Sequence, residues 1–129
     1  MILLDTHVLV WLQREPRKLS RPAEAAIRRA RSSNSLAVSA ITLVELAGLI
    51  NRGRLRTAGT VEGTVRQFVE DIEVLPLTSE IAMVTSHFPS DFPADPMDRI
   101  IAATARAEGI PLVTADERIR SCPLLKTIW

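Results

Sequence analysis

The sequence of 129 residues predicts an α/β fold: one domain, residues 1–129, built on a central parallel sheet of four to five short strands with helices on both faces. Three observations carry this expectation. Short apolar runs of three or four residues alternate with stretches of helical period, the order expected of strands joined by crossover helices. The chain is long enough to bury most of one core and short for two. Glycine, proline and small polar residues punctuate the alternation at almost every change of pattern.

Taken in order, Ile2 to Asp5 reads as a buried strand, followed by a helix through Val8, Leu9, Trp11 and Leu12 that Pro16 ends. A second helix starts at Pro22 behind a Ser20 or Arg21 cap and runs to about Arg31, with alanines and Ile27 on one face. Ser32 to Ser35 form a turn, and Leu36-Ala37-Val38 the next strand. Ser39 or Ala40 leads into a helix through Leu49 and Ile50, stopped by Gly53. Val61, Val65, Phe68 and Val69 place another helix over Thr60 to Asp71. Val74 to Leu77 is a short strand, and Ser79 caps the helix bearing Ile81, Ala82 and Val84. A proline-rich loop runs from Phe88 to Pro96. Asp95-Pro96 opens a helix that Gly109 closes, Leu112-Val113-Thr114 is a strand, Asp116 starts a short helix, and a last strand lies near Ile128.

Composition excludes several classes. No apolar stretch approaches the roughly 18 to 20 residues that span a bilayer. Asp5 interrupts the first apolar run before a signal peptide could form, which points to the cytoplasm. A single cysteine, Cys122, builds neither a disulfide framework nor a thiolate zinc site. The net charge of +1 hides an asymmetry: Met1 to Arg66 carry eleven basic and five acidic residues, Gln67 to Trp129 five basic and ten acidic. Arginine dominates the basic half (Arg14, Arg17, Arg21, Arg28, Arg29, Arg31, Arg52, Arg54 and Arg56), and its planar fork suits phosphate.

Four carboxylates stand where carboxylates are costly. Asp5 closes the run Ile2-Leu3-Leu4, and Glu45 is the only charge between Leu36 and Asn51. Asp98 opens the apolar segment around Ile100 and Ile101, and Asp116 follows Leu112-Val113-Thr114. Crossover handedness brings the C-terminal ends of all the strands to one edge, where open α/β sheets bind ligands. The four acids can therefore converge there, and like charges so placed call for a cation. An all-oxygen set favours Mg²⁺ or Mn²⁺ over zinc. Thr6, Ser39 and Thr114 sit near the same edge and are candidates to hydrogen-bond a ligand carboxylate or a bound water. Asp5, Asp98 and Asp116 could also serve as helix caps, and Ser39 or Thr114 could equally be a cap; Glu45 has no such alternative. Arg99 could anchor a carboxylate or touch phosphate. His7 and His87 read as structural, and Trp11 and Trp129 as packing residues. No glycine-rich phosphate loop appears, and no serine or cysteine nucleophile has a paired base.

The stretches LLDTHVLVW, VSAITLVEL, DPMDRIIAATA and LVTAD, in that order and spacing, resemble a PIN-domain protein, and most of all the VapC-type toxins of bacterial toxin–antitoxin pairs. The likeness covers nearly the whole chain. It implies a PIN-like fold, with Asp5, Glu45, Asp98 and Asp116 as the acidic cluster that binds Mg²⁺ or Mn²⁺ and Thr114 as the hydroxyl near the last acid. Asp95 matches a frequent family acid, although its place as a helix cap suffices to explain it. Many relatives carry a histidine just before the DP pair, where this chain has Pro93 and Ala94. The resemblance further implies RNA cleavage, a homodimer and inhibition by a small antitoxin protein. The competing expectation is a catalytically silent PIN-like module that binds RNA or protein; a phosphatase or DNA nuclease would share the site chemistry.

Overall fold

The computed structural model describes residues 1–129. Its core is a five-stranded parallel sheet in the order β3-β2-β1-β4-β5, formed by β1 (Ile2–Leu4), β2 (Leu36–Ser39), β3 (Glu73–Leu75), β4 (Leu112–Val113) and β5 (Thr127–Ile128). β1 lies at the centre, with Ile2 opposite Leu36 on one side and Leu3 opposite Leu112 on the other. From β1 the chain steps outward through β2 to β3, then returns to the other side of β1 as β4. Strand order therefore reverses between β1 and β4, and that crevice is where such sheets take ligands.

Alternate residues of each strand feed opposite faces. Ile2, Leu4, Leu36, Val38 and Val113 enter one core with Val8, Leu9, Ala23, Ile27 and Phe68. Leu3, Ala37, Leu75 and Leu112 enter a second core with Ile81, Ile101, Ala102 and Ile119. The first face is covered by α1 (Thr6–Arg14), α2 (Arg21–Ser32) and α4 (Val61–Phe68), the second by α5 (Ser79–Val84), α6 (Pro96–Glu108) and α7 (Glu117–Arg120). α3 (Ala40–Asn51) gives Leu46 to the first core and Ile41 to the second.

Local chemistry sets the helix ends. Ser20 caps α2, accepting from the Ala23 amide at 3.2 Å, and Ala23, Ala26, Ile27 and Ala30 form its buried stripe. Asp95 caps α6 with Pro96 in its first position, and Gly109 ends it at φ +67, a left-handed conformation that suits glycine. Three expectations are corrected. α5 is capped by Thr78, whose hydroxyl accepts from the Ile81 amide at 3.2 Å, and Ser79 is its first residue. β3 ends at Leu75, because Pro76 has no amide to continue the ladder. α4 ends at Phe68 rather than Asp71, which turns the chain at φ +61. No helix is long and apolar enough to cross a membrane.

Candidate active site

Asp5 follows β1 and Asp116 follows β4, the two strands that flank the crevice. Asp5 is buried, 4% exposed, and its charge is compensated by hydrogen bonds rather than by a lysine or arginine. Its Oδ1 accepts from the Thr6 amide at 2.8 Å and its Oδ2 from the Thr114 hydroxyl at 2.8 Å. His7 Nδ1 lies 3.5 Å from the same Oδ2. Thr114 in turn accepts from the Asp116 amide at 3.1 Å, so one hydroxyl ties the two acid-bearing loops together.

Glu45 joins from the side. α3 projects it toward α1, where the Thr6 hydroxyl donates to its Oε1 at 2.6 Å. The Thr6 oxygen also lies 3.0 Å from the Thr42 hydroxyl. Thr6 has only one hydroxyl hydrogen and gives it to Glu45, so Thr42 is the donor to Thr6. The chain Thr42 to Thr6 to Glu45 fixes the carboxylate and leaves its second oxygen outside these bonds. Asp116 is anchored likewise: its Oδ1 accepts from the Arg118 and Ile119 amides at 2.9 and 3.2 Å, capping α7.

Asp98, in the first turn of α6, accounts for the field of the cleft. Burial, then repulsion from Asp5, Asp95, Glu45 and Asp116 in that order, pushes its carboxyl up to about 7. Glu45 is also raised, first by burial, against the Thr6 hydrogen bond and with repulsion from Asp5 and Asp95 added. The lysine and arginine ion pairs of the molecule are Lys18 with Glu15 and Arg28 with Glu24, so no lysine or arginine neutralises the set. No side-chain polar atom is buried without a partner, so the free carboxylate oxygens face solvent.

One expectation needs correction. No three of these side chains close around a single point as a ready ligand set. The four acids instead act on one another at longer range across an open cleft, Asp5 raising both Glu45 and Asp98. Their hard oxygens still fit Mg²⁺ or Mn²⁺, since Mg²⁺ keeps several waters and takes only one or two carboxylates directly. Zinc, which favours nitrogen and sulfur, has no matching donor set here.

Among the other predicted residues, Ser39 caps α3, accepting from the Ile41 amide at 3.3 Å, and makes no bond to the acids. Arg99 is engaged by its neighbouring loop: its guanidinium donates to the Thr85 and Phe92 carbonyls at 3.4 Å and lies over the Phe92 ring. Trp11 and Trp129 pack on each other, 5.9 Å between centroids. Thr42 is missing from the sequence reading, and His7 enters it only as a structural residue. Thr42 was findable, as one of the few polar residues of an apolar helix, one turn before Glu45. The role of His7 depends on a hydrogen bond 108 residues away and left no local signal.

A parallel sheet with acids at its switch point and no pairing cation defines an α/β domain with an acidic cleft. The chain belongs to the PIN domain family, whose model matches residues 2–123. Ribonuclease VapC22 of Mycobacterium tuberculosis is 41% identical over 130 residues, covering 99% of this chain and 98% of that protein. Among solved structures, VapBC2 of Rickettsia felis bound to a promoter DNA fragment superposes with a TM-score of 0.75 at 19% identity, covering 98% of this chain and 97% of that one. DNA-bound VapBC of Salmonella typhimurium gives a TM-score of 0.75 at 20% identity, with 98% and 95% covered.

Proposed function

We propose that this protein is a metal-dependent endoribonuclease, the toxin of a toxin–antitoxin pair, that hydrolyses RNA phosphodiesters with Asp5, Glu45, Asp98 and Asp116. The observation that carries the reading is Asp98, half-buried and facing the negative charge of Asp5, Asp95, Glu45 and Asp116 with no lysine or arginine paired to it. The relative named a ribonuclease, similar along the whole chain, supports the choice of RNA. Neighbours described as VapBC complexes support a small antitoxin as partner, and a homodimer working in the cytoplasm completes the proposal.

Asp5, Asp98 and Asp116 would hold Mg²⁺ or Mn²⁺, with Glu45 as a further ligand or as the group that orients water. A bound divalent cation supplies charge that activates water and stabilises negative charge building on the phosphate. The protein does the rest by positioning. Thr114 keeps Asp5 turned toward the cleft, and Thr6 keeps one oxygen of Glu45 occupied so that the other can accept a proton from water. Two surface cavities of about 600 and 570 Å³ lie away from these acids. An open edge suits a polymer that must pass through rather than a small molecule that must be enclosed.

The test is cleavage of total RNA with Mn²⁺ added. Asp5→Asn and Glu45→Gln are each expected to fall to the level without enzyme while circular dichroism and melting stay native. Cleavage that survived both substitutions, or excess EDTA, would refute the reading. Binding of RNA without turnover would leave the silent module in its place.

A further inference from the structure

We infer that His7 is a positioning residue that sets where Asp116 stands relative to Asp5, an inference that rests on the metal site proposed above. Its ring is held on three sides. Nε2 accepts from the backbone amide of Ala115 at 3.1 Å, Nδ1 lies 3.5 Å from Asp5 Oδ2, and the Trp11 ring meets it edge-on at 4.9 Å between centroids. An imidazole nitrogen that accepts from an amide carries no proton, so in the neutral ring the proton sits on Nδ1, facing the Asp5 carboxylate. A histidine alone at the start of a helix has no reason to reach across the sheet; this one spans the crevice.

The consequence lies in the loop after β4. Thr114, Ala115 and Asp116 are consecutive, and each is tied back. Thr114 donates to Asp5, Ala115 donates to His7, and the Asp116 amide donates to Thr114. Without the His7 ring the Ala115 amide has no acceptor, and the Thr114 hydroxyl is the one side-chain bond left from this loop to Asp5. Asp116, capping α7 through its Oδ1, can then shift together with α7 away from Asp5, as repulsion between like charges favours. His7 acts through Ala115 and does not need to touch metal or RNA. Outer hydrogen bonds of this kind are worth about 10- to 100-fold in metal affinity.

The experiment measures Mn²⁺ binding by electron paramagnetic resonance on the full chain, without RNA, for wild type, His7→Ala, His7→Gln and Asp5→Asn, with melting temperatures alongside. Glutamine can offer its Oε1 near the place of Nε2. The expected result is a dissociation constant about 10- to 100-fold weaker in His7→Ala and recovered in large part by His7→Gln, with Ala115 amide hydrogen exchange accelerated only in the alanine variant. Wild-type affinity in a folded His7→Ala, with binding lost in Asp5→Asn, would overturn the role of His7 and leave the metal site standing. If wild type bound no Mn²⁺, the metal reading would fall and the role of His7 with it.

Discussion

At the scale of single residues, the acidic cleft trades stability for charge. Asp98 keeps its proton up to about 7 in the folded protein, against an ordinary value of 3.8. A folded state that holds a proton more tightly than the unfolded chain is most stable below the unfolded value. That stability is lost as pH rises from about 4 through about 7, and Glu45 acts in the same direction. Metal-free protein is thus expected to melt at a higher temperature near pH 5 than near pH 8, and Asp98→Asn to remove most of the difference; thermal scans across that range check both. Much of this site was legible beforehand because each acid interrupts an apolar run, which local reading detects. For Ser39 and Arg99 the sequence left two roles open, and the structure shows a local one. A serine before a helix serves its own backbone, and an arginine beside an aspartate turned instead to carbonyls of its neighbouring loop.

At the scale of elements, period and punctuation found every strand and each of the seven α-helices, and missed by a few residues where backbone chemistry decides an end. The α5 cap is the clearest case, since Thr78 and Ser79 are both good caps and only the hydrogen bond tells them apart. Thr78→Ala is expected to cost about 1 kcal/mol, and Ser79→Ala to stay within about 0.5 kcal/mol, in urea unfolding. The reverse ranking would return the cap to Ser79. Strand order was beyond local reading, because it depends on which runs meet after long crossovers. The general rule that ligands gather at strand C-terminal ends nevertheless located the acids at the correct edge.

At the scale of the whole molecule, charge is divided between surface and cleft. Arg14, Arg17, Arg21, Arg28, Arg29, Arg31, Arg52, Arg54 and Arg56 are all exposed, and only Arg28 is paired with an acid. If they meet the RNA backbone, binding by a cleavage-dead Asp5→Asn variant will weaken linearly in log–log plots against salt. Changing Arg52, Arg54 and Arg56 to alanine is expected to shrink the slope by about 0.7 for each phosphate those arginines had neutralised. A slope unchanged by the triple substitution would place the RNA elsewhere. The bond from Thr114 to Asp5 spans 109 positions. Pairings so distant in sequence wait on closure of nearly the whole chain. During synthesis, β1 and β2 can pair early, yet the crevice is complete only once β4 has emerged after β1, β2 and β3. On the function proposed above, a nascent chain has no complete cleft with which to cut RNA until β4 has emerged.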